Sequence, residues 1–226
     1  MHHDRIEMTF IHQPLQITPI EAITSDDGSR VYVTPKGDRY PSVTTVLGTV
    51  EKPELIEWRN RVGDHAADKK TRTSARRGKA LHTMVEDYLN NTNSTIPDAT
   101  MPLNTMLFKS IRGILDRNVE IVRAQEATLY SDFLETAGQV DLAARWDGTD
   151  SIVDFKTKEK PQKIQWMDQY FIQTSAYAVM IEELTGRPIP QLVILVAVED
   201  GDPQIFITKR DKYISKFIEI RKKYNA

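Results

Sequence analysis

Cysteine is absent from the 226 residues of this chain. This excludes disulfide bonds and a cysteine-bound iron–sulfur cluster, and it is typical of a protein in a reducing compartment. Long apolar runs are also missing, because the longest one, residues 192–198, has the length of a buried strand and cannot span a bilayer. Residues 1–4 lack the apolar core of a signal peptide. We therefore expect a cytoplasmic, intracellular protein without a membrane partner.

Two alternating segments surround a strong turn signal in the second half of the chain. Residues 138–146 and 151–157 alternate between the two faces of a strand. Asp147-Gly148 lies between them and predicts a hairpin, because both turn positions favour positive φ. The sequence therefore predicts two paired antiparallel strands here.

The register of this hairpin decides which charged side chains meet. A two-residue turn pairs Trp146 with Thr149 and sets Asp141 directly opposite Asp154, with Lys156 on the same face. A longer turn would set Asp141 opposite Lys156 and keep the three side chains on one face. Either register predicts a cluster of two carboxylates and a lysine.

Two carboxylates this close repel each other unless they share a proton or a cation. Mg²⁺ suits such a site, since it binds through one or two carboxylates together with substrate phosphate. Lys156 could then orient or deprotonate a water molecule, or stabilise charge that develops on the phosphate. The alternative is a surface hairpin that carries ordinary exposed charges.

A helix is predicted after the second strand, over residues 162–184. Pro161 suits its first position and Gly186 ends it. Gln173 and Tyr177 are four residues apart and project from one face, where they could reach a phosphate or hold the lysine. The alternative is a core helix with a tyrosine at its boundary.

A second helix is predicted over residues 74–89. His82 lies beside its apolar stripe, where it could bind a metal ion while Glu86, one turn later, orients the ring. Gly78 would allow close approach of another backbone or of a ligand. A structural histidine is the alternative.

Several motifs occur in a consistent order. They are Arg77-Gly78…His82, Glu126, Gly138…Asp141, Asp154-Phe155-Lys156 and Gln173…Tyr177. In this order they resemble the RecB-type branch of the PD-(D/E)XK nuclease superfamily, and most closely its mitochondrial genome-maintenance exonuclease group and phage relatives. The Ser/Thr-rich segment 41–47 is similar to a short element near the start of those proteins. Val140 departs from the pattern, because some members have proline before the first aspartate.

The resemblance implies a role for each matched residue. His82, Asp141, Asp154 and the backbone carbonyl of Phe155 would hold Mg²⁺ or Mn²⁺, and Lys156 would be the catalytic lysine. The remaining matched residues would support the site or contact the DNA strand. They are Gln173, Tyr177 and Glu126 near the metal, and Ser42, Thr44 and Thr45 at the DNA.

The formal net charge of −2 gives no general attraction to DNA, so the basic residues must be concentrated locally. Just before His82, the chain concentrates basic residues: Lys69, Lys70, Arg72, Arg76, Arg77 and Lys79. We expect Arg76, Arg77 and Lys79 to hold the phosphate backbone. A solvated helix surface is the alternative.

We expect one α/β domain over residues 1–226 with a restriction-endonuclease-like core, a central mixed β-sheet flanked by helices in the order α-β-β-β-α-β. It comprises an N-terminal extended and hairpin region (1–52), a helical region (53–118) and the catalytic core with a C-terminal helix (119–226). Further elements are predicted as follows: an extended arm over 1–22, a hairpin over 30–40, helices over 53–68, 105–118 and 211–224, and strands over 119–124, 126–133, 191–198 and 204–208.

Three functions remain open at this point. The resemblance implies a metal-dependent DNA exonuclease that acts on single strands or free ends in replication, repair or recombination. An endonuclease on the same core is the second candidate, and a nucleic-acid-binding protein on an inactive nuclease fold is the third. An exonuclease must thread or block the strand, and the basic helical segment 53–80 could form an arch that does so.

Overall fold

The computed structural model of this chain describes residues 9–24, 30–51, 53–92 and 101–224. Its strands are β1 (Ile11–His12), β2 (Glu21–Thr24), β3 (Arg30–Val33), β4 (Arg39–Pro41), β5 (Val119–Ser131), β6 (Thr136–Trp146), β7 (Thr149–Lys158), β8 (Gln191–Val198) and β9 (Gln204–Lys209). Six of them form a central sheet in the order β1-β5-β6-β7-β8-β9. The sheet is mixed, because β1 pairs with β5 and β7 with β8 in parallel, while the other pairs are antiparallel.

The helices are α1 (Val43–Gly48), α2 (Pro53–Val62), α3 (Asp64–Leu89), α4 (Pro102–Asn118), α5 (Asp168–Thr185) and α6 (Ile214–Tyr224). Helices α1, α5 and α6 pack on one face of the central sheet, and α3 and α4 pack on the other. The expected central mixed sheet flanked by helices is confirmed. Within the described ranges, no helix is long and apolar enough to cross a membrane.

Two layers of apolar side chains hold the helices to the sheet. On the α5 side, Ile152 and Ile194 pack with Phe171, whereas on the α3 side Val153 and Leu195 pack with residues of α3 and α4. From Leu192 to Val198, strand β8 is buried at every position, because helices cover both of its faces. This explains why its sequence is a continuous apolar run.

The β6–β7 hairpin has the register that a two-residue turn predicts. Trp146 pairs with Thr149, and the pairing continues to Leu142 and Val153. Asp147 and Gly148 have φ values of 46° and 76°, as a type I′ turn requires. The next pair in this register would be Asp141 with Asp154, but the pairing of the two strands ends at Leu142 and Val153.

Strand β5 is one long strand instead of the two that were predicted over 119–124 and 126–133. It continues through Glu126, which takes a φ of 45° inside the strand, and it ends before Phe133. Directly across from Glu126, the alternation of β6 also breaks: Val140 packs on the α5 side and Leu142 on the α3 side. The alternation of side chains between the two faces thus changes at Glu126 in β5 and at Asp141 in β6, although both strands continue.

The helical predictions differ from the structure mainly at their boundaries. Gly63 has a φ of 83°, so α2 ends before it and α3 runs continuously to Leu89, in place of separate helices over 53–68 and 74–89. Pro161 is not the first helical residue, because a 3₁₀ turn at Ile164–Met167 precedes α5. Gly186, with a φ of 70°, ends α5 as predicted.

The N-terminal hairpin is confirmed and extended by one strand. Strands β3 and β4 form the predicted hairpin, and β2 joins them in a separate three-stranded sheet. Part of the expected arm, β1, pairs with β5 in the central sheet. The first eight residues of that arm, and most of the expected loop over 90–102, lie outside the described residues.

Candidate active site

The candidate site lies where β6 and β7 diverge. Their recorded pairing ends at Leu142 and Val153, and beyond it side chains bind the free edge of β7. The Phe155 backbone N–H donates to Asp141 Oδ2 (3.0 Å), and the Phe155 carbonyl accepts from His82 Nε2 (3.0 Å). Because His82 belongs to α3, this contact connects the helix layer of α3 and α4 to the β6–β7 hairpin at Phe155.

Asp154 and Lys156 form a buried ion pair. Lys156 Nζ lies 2.5 Å from Asp154 Oδ2, and the Asp154 side chain is almost fully buried. Burial raises the pKa of Asp154 to about 6, although the Lys156 ammonium opposes this. Burial lowers the pKa of Lys156, but Asp154 and Asp141 outweigh it and raise that pKa above its usual value. Lys156 is therefore an ammonium at neutral pH.

His82, Glu126 and Asp141 form a second, more open cluster. His82 Nδ1 lies 3.5 Å from Glu126 Oε1 and 3.6 Å from Asp141 Oδ1, and one ligand atom from each residue lies within 4.8 Å of the others. Burial lowers the pKa of His82, but the two carboxylates and the Phe155 carbonyl raise it to about 9. At neutral pH the ring is therefore an imidazolium, whose Nε2–H donates to the Phe155 carbonyl and whose Nδ1–H points to the two carboxylates.

The geometry of His82 corrects the expected role of Glu86. We expected Glu86 to orient the ring, yet the Phe155 carbonyl contacts Nε2, and Glu126 and Asp141 contact Nδ1. Glu86 stays one helical turn away, and burial raises the pKa of its carboxyl group. The backbone of β7 therefore performs the orienting role.

Glu126 is held in an unusual backbone conformation. Its φ of 45° is costly for a residue with a Cβ atom. Gln139 Nε2 donates to both the Glu126 carbonyl (3.1 Å) and Glu126 Oε2 (2.8 Å). These bonds hold the carboxylate beside His82.

Gln173 and Tyr177 project from α5 toward the same place, as their spacing predicts. Gln173 Nε2 donates to the Tyr177 hydroxyl (3.2 Å), and burial raises the pKa of that hydroxyl. A Cβ atom on Gly138 would lie 2.7 Å from Tyr177 Cε1. Gly138 is therefore required for the close packing of α5 against β6.

A cavity of about 220 Å³ connects these residues. Its walls include residues that the sequence indicated and others that it did not: His82, Glu126, Gly138, Asp141, Gln173, Tyr177, Ser42 and Thr44, together with Arg30, Tyr32 and Gln139. Arg30 and Tyr32 come from β3, far from the motifs in sequence, and no motif marks them. Asp154 and Lys156 do not line this cavity; Asp154 interacts electrostatically with Asp141, which does.

The predicted DNA-contacting residues differ in their surroundings. Arg76 and Lys79 are exposed on α3. Arg77 is mostly buried, donates from Nε to Thr157 Oγ1 (3.1 Å) and forms an ion pair with Glu199. Burial lowers its pKa. Arg77 thus holds α3 to the ends of β7 and β8, and its guanidinium is committed to protein contacts.

The Ser/Thr-rich element forms the start of α1. Ser42 is buried, and its hydroxyl accepts from the Thr45 backbone N–H (2.9 Å) and also bonds the hydroxyls of Thr44 and Thr45. Ser42 therefore caps the helix. Ser42 and Thr44 also line the cavity, whereas Thr45 does not.

The chain is similar in sequence to curated exonucleases. It is 29% identical over 174 residues to mitochondrial genome maintenance exonuclease 1 of Homo sapiens, which covers 72% of this chain and 50% of that protein. The Mus musculus protein of the same name is 28% identical over 174 residues, with 72% and 51% covered. The chain spans about half the length of these curated relatives.

Comparisons with family models and solved structures give less information about this chain than the sequence relatives do. No family model matches the chain. A predicted exonuclease from Eubacterium rectale aligns with a TM-score of 0.46 at 15% identity, over 66% of this chain and 63% of that one. Likeness at this level assigns no function. Membership of the PD-(D/E)XK superfamily stays a prediction from the motifs.

Proposed function

We propose that this chain is a metal-dependent DNA exonuclease of the PD-(D/E)XK type, acting on single strands or free ends in replication, repair or recombination. One observation carries the proposal: the buried Asp154–Lys156 pair and the His82–Glu126–Asp141 cluster meet at Phe155 and Asp141. Carboxylates and an imidazole can bind a divalent cation, and a lysine ammonium can stabilise charge on a phosphate, both of which assist phosphodiester hydrolysis. The similarity to curated exonucleases supports the same class.

The residues present fit a hard divalent cation. Three carboxylates and one imidazole repel or compete for protons unless a cation shares their charge. His82 Nδ1, Glu126 and Asp141 would hold Mg²⁺ or Mn²⁺. Asp154 and the Phe155 carbonyl would join them as the resemblance implies. When bound, the ion would supply Lewis-acid stabilisation of a phosphoryl oxygen and lower the pKa of a water molecule.

Lys156 acts through its charge. Asp154 holds its ammonium in place, and the ring of Tyr170 lies 4.9 Å from Nζ. Because the pKa of Lys156 is raised, the ammonium donates hydrogen bonds to the phosphate or to the attacking water and does not accept a proton from it. We therefore assign Lys156 the role of stabilising charge on the phosphate and not the role of a general base that deprotonates the water.

The DNA strand would approach along the basic surface of α3. Arg76 and Lys79 are exposed there, and α2 with the first half of α3 buries almost no side chain. This exposed helical segment, residues 53–80, would form the arch that restricts the enzyme to strands with a free end. Arg30 from β3 would contact a phosphate from the opposite wall of the cavity.

The test compares linear with covalently closed circular single-stranded DNA in Mg²⁺. An exonuclease degrades the linear strand and leaves the circle intact. Cleavage of the circle at a comparable rate would instead support the endonuclease. No cleavage of either substrate in Mg²⁺ or Mn²⁺, combined with retained DNA binding, would support the inactive binding protein. End labels on the linear strand report the polarity in the same experiment.

A further inference from the structure

We infer that Trp166 is a base-stacking residue for the single-stranded substrate, at the centre of a basic surface that begins at Lys156. The inference rests on the proposed function and deepens it. None of the motifs includes Trp166, and the resemblance assigns it no role.

Trp166 is unusually exposed for a tryptophan. Its side chain is 52% exposed in the 3₁₀ turn before α5, next to the exposed Ile164. By contrast, Trp146 is buried in the core. Tryptophan is seldom this exposed without a partner, because its large apolar ring is costly to leave in water.

One lysine lies over this indole, and two more precede it along the chain. Lys163 Nζ lies 5.5 Å from the centre of the Trp166 ring, and Lys158 and Lys160 precede it along the chain. Lys160 and Lys163 are exposed. We name residues 158, 160, 163, 164 and 166 the lysine–tryptophan surface. An aromatic ring among cations is the arrangement that binds single-stranded nucleic acid, through stacked bases and neutralised phosphates.

Tyr170 makes this surface continuous with the candidate active site. Its ring lies 4.9 Å from Lys156 Nζ and 5.2 Å from Lys158 Nζ, and its hydroxyl accepts from Lys158 (2.8 Å). Trp166 precedes Tyr170 by four residues, about one helical turn along the same segment. A strand whose phosphate reaches Lys156 therefore passes Tyr170 before it reaches the indole.

Acidic groups also lie near this surface, and one of them, Asp168, two residues after Trp166, accepts from the Tyr213 hydroxyl (2.9 Å). Glu159 is paired with Lys70 at 3.1 Å, so its charge is offset. Asp200 and Asp202 lie in the adjoining β8–β9 turn, and the Asp200 N–H donates to the Glu159 carbonyl. Lys160 and Lys163 have no acidic partner among the recorded ion pairs of the described residues. Phosphates of the DNA backbone would pair with these two lysines.

Single strands fit this surface better than duplexes. In a duplex, each base is stacked between its neighbours and does not present a face to a protein side chain. An unpaired base presents such a face and can stack on the indole without sequence preference. The occupant is therefore an unpaired base of the strand whose phosphate lies at Lys156.

The test measures binding of a labelled oligo-dT by fluorescence anisotropy in a Lys156→Ala background, which prevents cleavage. Trp166→Ala should raise the Kd about tenfold, and Trp166→Phe should restore most of the affinity. The matched control is Phe133→Ala, which removes another aromatic ring (71% exposed) from the β5–β6 turn. It should leave the Kd unchanged.

An abasic oligomer of the same length separates stacking from a structural effect. Trp166→Ala should change its Kd by less than about twofold, because the phosphates remain and the bases are gone. An unchanged Kd for oligo-dT, or an equal loss on both oligomers, overturns the inference. If otherwise unmodified protein with Lys156 fails to cleave linear DNA in Mg²⁺, the proposed function fails instead, and the binding comparison still decides the role of Trp166.

Discussion

The two halves of the candidate site use carboxylates in opposite environments. Asp154 is 3% exposed and paired with Lys156, whereas Glu126 and Asp141 are 27% and 13% exposed beside His82. A buried carboxylate with a lysine partner has its charge fixed within the protein. Two partly exposed carboxylates beside an imidazole can be reached and bound by a cation from solvent. We call Asp154 with Lys156 the closed half, and His82 with Glu126 and Asp141 the open half. The closed half thus sets the position of the ammonium, and the open half is suited to binding a metal ion.

Removing the Lys156 ammonium from the closed half should cause the largest loss of DNA cleavage activity. Lys156→Ala should reduce the rate of DNA cleavage about 10³-fold, because it deletes the charge that stabilises the phosphate. Single-turnover kinetics with Mg²⁺ measure this loss. Lys36→Ala, which removes an exposed lysine paired with Asp132, is the control and should cleave at the normal rate.

The stability of the Lys156→Ala variant tests whether Asp154 is shielded from water. Without Lys156, the buried Asp154 carboxylate must stay unpaired or take up a proton, and either outcome should lower the free energy of unfolding by about 3 kcal/mol at neutral pH. The double variant Lys156→Met with Asp154→Asn should recover most of it, as urea unfolding can show. Equal stability of the wild type and Lys156→Ala would mean that water solvates Asp154.

Close packing of α5 against β6 beside the site depends on Gly138. Gly138→Ala should lower the free energy of unfolding by about 2 kcal/mol, because the new methyl group overlaps the Tyr177 ring. Tyr177→Leu in the same chain should recover part of that loss, since the ring is removed. If Gly138→Ala unfolds at the wild-type urea concentration, α5 can move away from β6 at little cost.

The open half should respond to metal ions. Glu126→Gln should weaken Mg²⁺ or Mn²⁺ binding about tenfold, as calorimetric titration without DNA can measure, because a charged oxygen beside His82 is lost. Glu86→Gln is a matched control on α3, one turn after His82, and should bind the ion normally. An unchanged affinity of Glu126→Gln would remove Glu126 from the metal-binding set.

The smallest predicted effect concerns the backbone of Glu126. Glu126→Ala and Glu126→Gly remove the same carboxylate, but only glycine adopts a φ of 45° without strain. The glycine variant should therefore be more stable than the alanine variant by about 1 kcal/mol in urea unfolding. The reverse order would show that the strand relaxes once the carboxylate is gone.

The sequence predicts the closed half better than the open half. The Asp147-Gly148 turn determines the hairpin register that carries Asp154 and Lys156, because this feature depends on local geometry. Helical spacing likewise sets Gln173 and Tyr177 on one face of α5, although they line the cavity of the open half. Glu126 could not be assigned in the same way, since neither glycine nor asparagine marks its positive φ. Arg30 and Gln139 reach the cavity only through tertiary packing.

Long-range pairing also explains why the three cations of the basic run before His82 have different surroundings. The sequence treats Arg76, Arg77 and Lys79 alike, yet the fold sets Arg77 against Thr157 and Glu199, on strands far along the chain. Local patterns cannot show which of several neighbouring cations has an internal partner. The exposed Trp166 illustrates the same limit, because periodicity does not distinguish it from a core residue.

Cleavage of end-labelled, linear single-stranded DNA by the wild type and by Lys156→Ala, each in Mg²⁺ and in excess chelator, tests the central claim most directly. The account predicts product only for the wild type in Mg²⁺. Cleavage by Lys156→Ala at near the wild-type rate, or undiminished cleavage by the wild type in chelator, would contradict it.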